Sequence, residues 1–292
     1  MKGDRCKVDG ISFVIVNYNT KYITEDCVNS INNNKSLEKF KYEIIIVDND
    51  SSDGSREYFK EQAFINTTII ENDNNEGFGK ANNLGVQSCK GKYIVLLNSD
   101  TLAGETDFKL LIDTMQRNNN IGVLSAKILN RDSSIQSLGF SFPSLINELK
   151  LNFLFWNFNF MKRIRLKGYK NKGLFKVDWV SGSFMVIRKD DYCSVGGFDE
   201  NIFMYAEDLE LCYKLYLNHK YSYVLDETAI YHLHGESGNK SKITLSKLIK
   251  RRKNYNYVIQ KHKMSNSFKL LIMKAIYFIH AVILVTIKKI KA

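Results

Sequence analysis

The chain opens with short, nearly unbroken apolar runs, each closed by a polar turn and followed by a stretch with helical spacing. Residues 11–16 (ISFVIV) end at Asn17-Tyr18-Asn19, and a helical pattern carrying Cys27 and Ile31 follows. Residues 42–47 (YEIIIV) end at Asp48-Asn49-Asp50, where Ser51-Ser52-Asp53-Gly54 has the makings of a capped helix start. Residues 67–70 run into an acidic turn and a helix over Phe78–Ser88, and residues 93–97 (YIVLL) end at Asn98-Ser99-Asp100. Apolar strands alternating with helices predict a parallel sheet covered on both faces. Polar residues just past each strand's C-terminal end stand where open α/β sheets bind ligands.

From about residue 121 the rhythm loosens. Further strands are expected over residues 122–129, 184–188, 221–225 and 229–231, and an amphipathic helix over 207–218. Residues 145–160 are dense in Leu, Phe and Trp156, and residues 162–176 in Lys and Arg. From Ser241 the chain is helix-compatible, without proline or glycine, and residues 275–287 are almost wholly apolar.

A length of 292 residues with 44% hydrophobic and 25% charged side chains suits one large α/β domain and excludes collagen-like, coiled-coil and wholly disordered chains. Five cysteines (Cys6, Cys27, Cys89, Cys193, Cys212) with no CxxC pair argue against a disulfide framework or zinc ribbon and for a reducing compartment. Residues 1–10 are polar, so no secretory signal is expected there. The net charge of +11 is unevenly placed: residues 241–292 hold 13 Lys/Arg and no Asp/Glu, which leaves the first 240 residues slightly acidic at −2. The basic tail is expected to seek a polyanion.

Three places could carry chemistry. Asp100, at the edge of an apolar strand, can ligate a hard divalent cation or simply cap the next turn; Asp48 has the same ambiguity. Glu207-Asp208 opens a helix, where acids are favoured by the macrodipole in any case. Yet the glycine-hinged, aromatic approach through Gly196-Gly197-Phe198-Asp199 and Phe203-Met204-Tyr205 suits a partly desolvated general base. His232 and His234 alternate on one face of an extended chain beside Gly235 and could bind a metal or a phosphate. The segment Gly77-Phe78-Gly79-Lys80-Ala81-Asn82 lacks the third glycine of a dinucleotide fingerprint, and no GxxxxGK[ST] loop exists. An oxidoreductase and a P-loop nucleotidase are therefore disfavoured.

Taken in order, Val16-Asn17-Tyr18-Asn19, Val47-Asp48-Asn49-Asp50 through Ser55, Asn74 through Asn83, Leu97-Asn98-Ser99-Asp100, Trp179-Val180-Ser181-Gly182-Ser183, Gly196 through Glu200, Tyr205 through Glu210 and His232-Leu233-His234-Gly235 resemble the motifs of family 2 inverting glycosyltransferases. The bacterial rhamnosyltransferase branch, which builds surface polysaccharides, is similar. The resemblance implies a GT-A fold: a Rossmann-like, mostly parallel α/β sheet flanked by helices. Its domain would span residues 1–240, divided into a nucleotide-sugar half (1–104) and an acceptor half (105–240), with 241–292 as a basic amphipathic helical tail.

By position, the resemblance assigns Asn17, Asn19, Asp48, Asp53, Asn82, Asn98, Ser99 and His234 to the nucleotide sugar, with Gly77 and Phe78 shaping the floor beneath it. Asp100 and His232 would hold Mg²⁺ or Mn²⁺, Asn98 replacing the first acid of the family's DxD motif. Asp208 would be the base, and Trp179, Ser181, Gly182 and Glu207 would face the acceptor. The donor expected is a dTDP- or UDP-linked sugar, first of all rhamnose, with UDP-galactofuranose or a UDP-hexose as alternatives. The acceptor would be a surface-polysaccharide or lipid-linked glycan. A non-catalytic nucleotide-sugar-binding or membrane-scaffold protein of the same fold is the alternative class.

Residues 268–287 contain Lys269, Lys274 and His280. A mid-span Lys costs roughly 2.5–3.5 kcal/mol, so an in-plane, Lys-flanked helix on the anionic cytoplasmic leaflet is expected rather than a span. A core or homodimer-forming helix is the alternative. Nucleic acid is not an expected partner. The aromatic run 153–160 and the cations after it could hold a lipid-linked acceptor or pack in the core.

Overall fold

The structure, a computed structural model, describes residues 10–62, 64–153, 173–233 and 244–290. The first four strands, β1 (Ile11–Asn17), β2 (Tyr42–Asp48), β3 (Thr67–Glu71) and β4 (Tyr93–Asn98), lie side by side in the order β3-β2-β1-β4, all parallel. β1 alternates across the sheet: Phe13 and Ile15 enter one core, Val14 the other. That two-faced burial explains why the run is apolar throughout rather than alternating.

Helices α1 (Lys21–Asn32), α2 (Ser55–Gln62) and α4 (Phe108–Arg117) supply Val28, Phe59 and Leu111 to the first core. The second core receives Ala81 of α3 (Phe78–Ser88), Tyr192 of α6 (Lys189–Ser194) and Leu211 of α7 (Glu207–Leu217). α3 lies so close to the sheet that a Cβ on Gly85 would stand 2.5 Å from Val14 Cγ1. The expected cap is present, with Asp53 Oδ1 accepting from Ser55 N at 3.1 Å.

Beyond β4 the sheet becomes mixed. β9 (Phe184–Arg188) is inserted antiparallel between β4 and β6 (Ile121–Leu129), and β10 (Tyr221–His232) runs parallel to β6. The short strands β7 (Ile135–Ser137) and β8 (Leu174–Val177) pair antiparallel with β6 and β10. Two segments expected as separate strands, 221–225 and 229–231, form the single strand β10, with a register shift between Leu225 and Ala229. At its end β10 pairs antiparallel with β5 (Thr101–Leu102), His232 opposite Thr101. The parallel expectation thus describes the N-terminal half, and the mixed second half turns β10 back toward the β4 tip.

The basic tail packs against the body. Val258 of α8 (Leu245–Lys261) belongs to the second core, and Ile259 joins Leu270 and Met273 of α9 (Ser267–Ile290) in a third cluster. Arg252 of α8 and Glu148 of α5 (Leu145–Phe153) form a buried ion pair at 2.6 Å, and the Arg252 guanidinium also lies 4.9 Å from the Tyr277 ring of α9. Breaking one partner of such a pair typically costs about 3–5 kcal/mol. The expected aromatic and basic segments fall largely at residues 154–172, outside the described residues.

Candidate active site

Parallel register sets the first wall. Asn17 is opposite Asp48, Asp48 opposite Glu71, and Val16 opposite Asn98, so polar strand ends line one edge. Asn17 is wholly buried. Its amide donates to Asp48 Oδ2 (2.7 Å) and Ser51 Oγ (2.9 Å), and its carbonyl accepts from Thr20 and Thr24 hydroxyls at 2.9 and 2.7 Å. Every hydrogen-bonding place on that side chain is filled by protein. Asp48 is held equally firmly, accepting at Oδ1 from Ser51 N (3.0 Å) and Arg56 Nε (3.1 Å). Asn19 is exposed and left-handed (φ +56), its Oδ1 accepting from Ser52 N at 2.7 Å. Asp53 also accepts from Lys21 N, so these four residues build the turns at the strand tips.

The second group lies at the end of β4. Ser99 accepts from Thr20 Oγ1 at 3.2 Å, tying it to the Asn17 network. Asp100 is buried, and its Oδ1 stands 3.1 Å from His232 Nε2, with Asn98 Nδ2 3.3 Å from the same nitrogen. These two segments, far apart in sequence, are joined by the β5–β10 pairing and by Leu233 N donating to Asp100 O at 2.8 Å. The His232 tautomer follows from a relay that sequence reasoning missed. Gln136 Nε2 donates to Asn130 Oδ1 (3.0 Å), which turns Gln136 Oε1 toward His232 Nδ1 at 2.7 Å. Nδ1 therefore carries the proton and Nε2 presents a lone pair toward the Asp100 carboxylate. An imidazole nitrogen and a carboxylate oxygen at this separation can share a divalent cation. Among the described residues no third His, Cys, Asp or Glu joins them. A carboxylate, an imidazole and the neutral Asn98 amide fit a cation that takes its remaining oxygens from phosphates and water.

The third group surrounds the expected base. Asp208 Oδ2 accepts from Gly182 N at 3.0 Å and Oδ1 from its neighbour Leu209 N at 2.8 Å. A Cβ on Gly182 would sit 3.3 Å from Phe78 Cε1 and 3.5 Å from Asp208 Cβ, so these three meet directly. Glu207 is buried, with Oε2 lacking a hydrogen-bond partner among the described residues. Burial, and then the adjacent Asp208 charge, push the Glu207 carboxyl up to about 8. Burial also pushes Asp208 upward, against the Gly182 and Leu209 N–H groups. The two residues before this helix are left-handed, Tyr205 at φ +70 and Ala206 at φ +75. The loop is braced from below at Gly77 (φ +87), where a Cβ would lie 2.3 Å from Phe203 O, and Phe78 N donates to that oxygen at 3.0 Å.

Asn82 is buried, donating to Phe78 O at 2.9 Å, with its Oδ1 unpartnered among the described residues. Trp179 stacks on Phe140 (4.3 Å between centroids) and donates to Ser141 O at 3.0 Å. Ser181 Oγ accepts from Ser183 Oγ at 3.0 Å, one residue beyond Gly182. The Asp100–His232 pair and the expected base neighbour each other: Asn98 N donates to Ser183 O at 3.3 Å, and the next residue back, Gly182, holds Asp208. His234 lies outside the described residues. Arg251, from the tail, bears on both Glu207 and Asp208 electrostatically. Its only mark in the sequence is membership of a basic stretch.

Comparison with known proteins places this fold among sugar-transferring enzymes. The Glycosyl transferase family 2 profile matches residues 12–192, and the chain belongs to that family. It is similar to the rhamnosyltransferase WbbL of Escherichia coli K12 (27% identity over 259 residues, 83% of this chain and 91% of that protein). It is also similar to the N-acetylglucosaminyl-diphospho-decaprenol L-rhamnosyltransferase of Mycobacterium tuberculosis (27% identity, 58% of this chain and 59% of that protein). Among solved structures, GalNAc-T7 with UDP, GalNAc and Mn²⁺ superposes with a TM-score of 0.61 at 17% identity, over 86% of this chain and 48% of that one. The fold is that of GT-A glycosyltransferases, and the chain is a family 2 glycosyltransferase that resembles rhamnosyltransferases.

A raised carboxyl pKa in the folded state makes the neutral form the stabilised one. Stability attributable to Glu207 is therefore present below about pH 4.5 and is lost as pH climbs toward 8. Glu207→Gln should gain melting temperature relative to the parent between pH 5 and pH 8, read by thermal melts at both. A difference that does not change with pH would contradict this assignment.

Proposed function

We propose that this glycosyltransferase moves a sugar, with rhamnose the first candidate, from a dTDP- or UDP-linked donor to a hydroxyl of a surface-polysaccharide or lipid-linked glycan, inverting the anomeric centre. The observation that carries the reading is Asp208: a desolvated carboxylate held by Gly182 N–H at 3.0 Å, one residue from the segment that binds the Asn98–Asp100 tip. Residues 1–104 would hold the donor and 105–240 the acceptor. The relatives' printed activities support rhamnose as the sugar and a diphosphate-linked acceptor.

In this reading an acceptor hydroxyl enters past Trp179 and Ser181 and gives its proton to Asp208 as it attacks the anomeric carbon. A positioned base typically contributes about 10²–10⁴-fold. Upward displacement of its pKa makes Asp208 a stronger proton acceptor than an exposed aspartate, as the step requires. Attack from the face opposite the diphosphate inverts the centre with no covalent enzyme intermediate. Asp100 and His232, with Asn98 beside them, would hold Mg²⁺ or Mn²⁺, whose chemistry when bound is to neutralise charge on the departing diphosphate. The unpartnered Asn82 Oδ1 would find a donor in the bound nucleotide sugar.

The tail supports a peripheral, cytoplasmic-leaflet location. α9 is long and apolar enough to cross a bilayer over Ser267–Thr286, yet Leu270, Met273 and Ala281 are buried against the protein. Its outer face exposes Phe268, Leu271, Phe278, Ile279, Val282 and Ile283 at helical spacing. An in-plane helix that keeps its inner face on the protein uses both surfaces.

Asp208→Asn should abolish transfer while leaving donor affinity within a few-fold, by titration calorimetry with the donor; lost donor binding would make Asp208 structural instead. Chelation of divalent cations should stop transfer, and added Mn²⁺ or Mg²⁺ should restore it; turnover indifferent to chelator removes the metal. In flotation with vesicles containing anionic lipid, the protein should rise with the vesicles, and a Leu271→Glu, Ile279→Glu double variant should stay behind. Parent protein that ignores such vesicles would refute the membrane reading.

A further inference from the structure

Helix α8 touches the Asp208-bearing loop before, within and after the turn. Before it, Tyr257 Oη and Lys261 Nζ donate to Asp199 Oδ2 at 2.9 and 2.8 Å. Burial opposes ionisation of Asp199, but those bonds and the ones from Asn201 outweigh it and hold the carboxyl far below its usual range. Within the loop, Asn254 Nδ2 donates to Met204 O at 2.7 Å, and the Arg251 guanidinium lies 5.1 Å from the Tyr205 ring centroid. After it, Lys261 and His262 approach Glu210 Oε1 at 2.7 and 3.0 Å; Glu210 is wholly buried on α7. The Trp179 ring, on the acceptor side, meets Tyr255 of the same helix edge-on at 6.4 Å.

These contacts answer a specific problem. Consecutive left-handed residues that are not glycine, here Tyr205 and Ala206, are strained and persist only where their surroundings over-determine them. Gly77 and Phe78 hold the loop from one side. On the other side stand Asn254 and Arg251.

We propose that α8 is a working part of the active site, with Asn254 and Arg251 as positioning residues that lock the 203–206 turn and so aim the Glu207–Asp208 pair at the acceptor. The inference rests on the reading of Asp208 as the base. Neither residue is assigned contact with substrate; each acts through the loop. Arg251 has a second effect. The groups facing Asp208 are Glu207 on its own helix, the Gly182 and Leu209 N–H groups, Cys212 one turn on, and Tyr255 and Arg251 from α8. Arg251 favours the charged form of both carboxylates against their burial. Without it, the pair retains a proton to higher pH.

The test uses the full chain and its Arg251→Gln, Arg251→Lys and Asn254→Ala variants. Each is supplied with whichever of dTDP-rhamnose, UDP-galactofuranose and UDP-glucose the parent consumes, and nucleoside diphosphate release is followed against pH. Arg251→Gln should move the acidic limb of kcat upward, with donor KM nearly unchanged, and Arg251→Lys should recover most of that shift. Independently of turnover, Arg251→Gln and Asn254→Ala should raise hydrogen exchange at amides of residues 203–208 while β1 and β4 stay protected. An unaltered pH profile together with parental exchange in that loop would overturn the proposal. An active Asp208→Asn would instead overturn the base assignment, and the exchange result would still report on the clamp.

Discussion

Two adjacent carboxylates withdrawn from water at the start of a helix are the constraint around which this molecule is arranged. Ionising either Glu207 or Asp208 there is opposed by burial, and for Glu207 also by the adjacent Asp208 charge. The compensation is local and directional: N–H groups of Gly182 and Leu209 point at Asp208, and the N-terminal end of α7 adds its partial positive charge. A helix start aimed in this way needs an abrupt entry, which Tyr205 and Ala206 supply through left-handed backbone. The glycine at 77 exists where the loop presses closest.

The opposite wall obeys a different rule. Strands buried on both faces can place polar side chains only at their ends, and parallel pairing in register brings those ends to one edge. Asn17 and Asp48, expected beside the nucleotide, are braced there by Thr20, Thr24, Ser51 and Arg56. They shape the edge, and the turns they brace offer the surface. Asp100 and His232 meet because β10 reverses onto β5, and Gln136 sets which nitrogen of His232 faces the acid.

The charge imbalance between body and tail has a structural outlet. Acidic residues of the body, Glu148, Asp199 and Glu210, receive Arg252 and Lys261 from α8. Part of the tail's basic excess is therefore used inside the protein. The remainder, with the apolar outer face of α9, is left for a partner surface.

Composition and periodicity were sufficient for the alternating strands and helices of the first hundred residues, because burial on both sheet faces writes itself as continuous apolar runs. The ordered motifs from Asn17 to His232 were likewise sufficient for the family, since each lies within a few residues of a strand or helix end. What they left open was decided by contacts between distant segments. The mixed half of the sheet, the Gln136–His232 relay and the reach of Arg251 to Glu207 and Asp208 join residues dozens to more than a hundred positions apart. No local spacing records such pairings. A run of lysines and arginines looks the same whether it faces a membrane or an active site, and only packing of α8 on the body determines which of its cations turns inward.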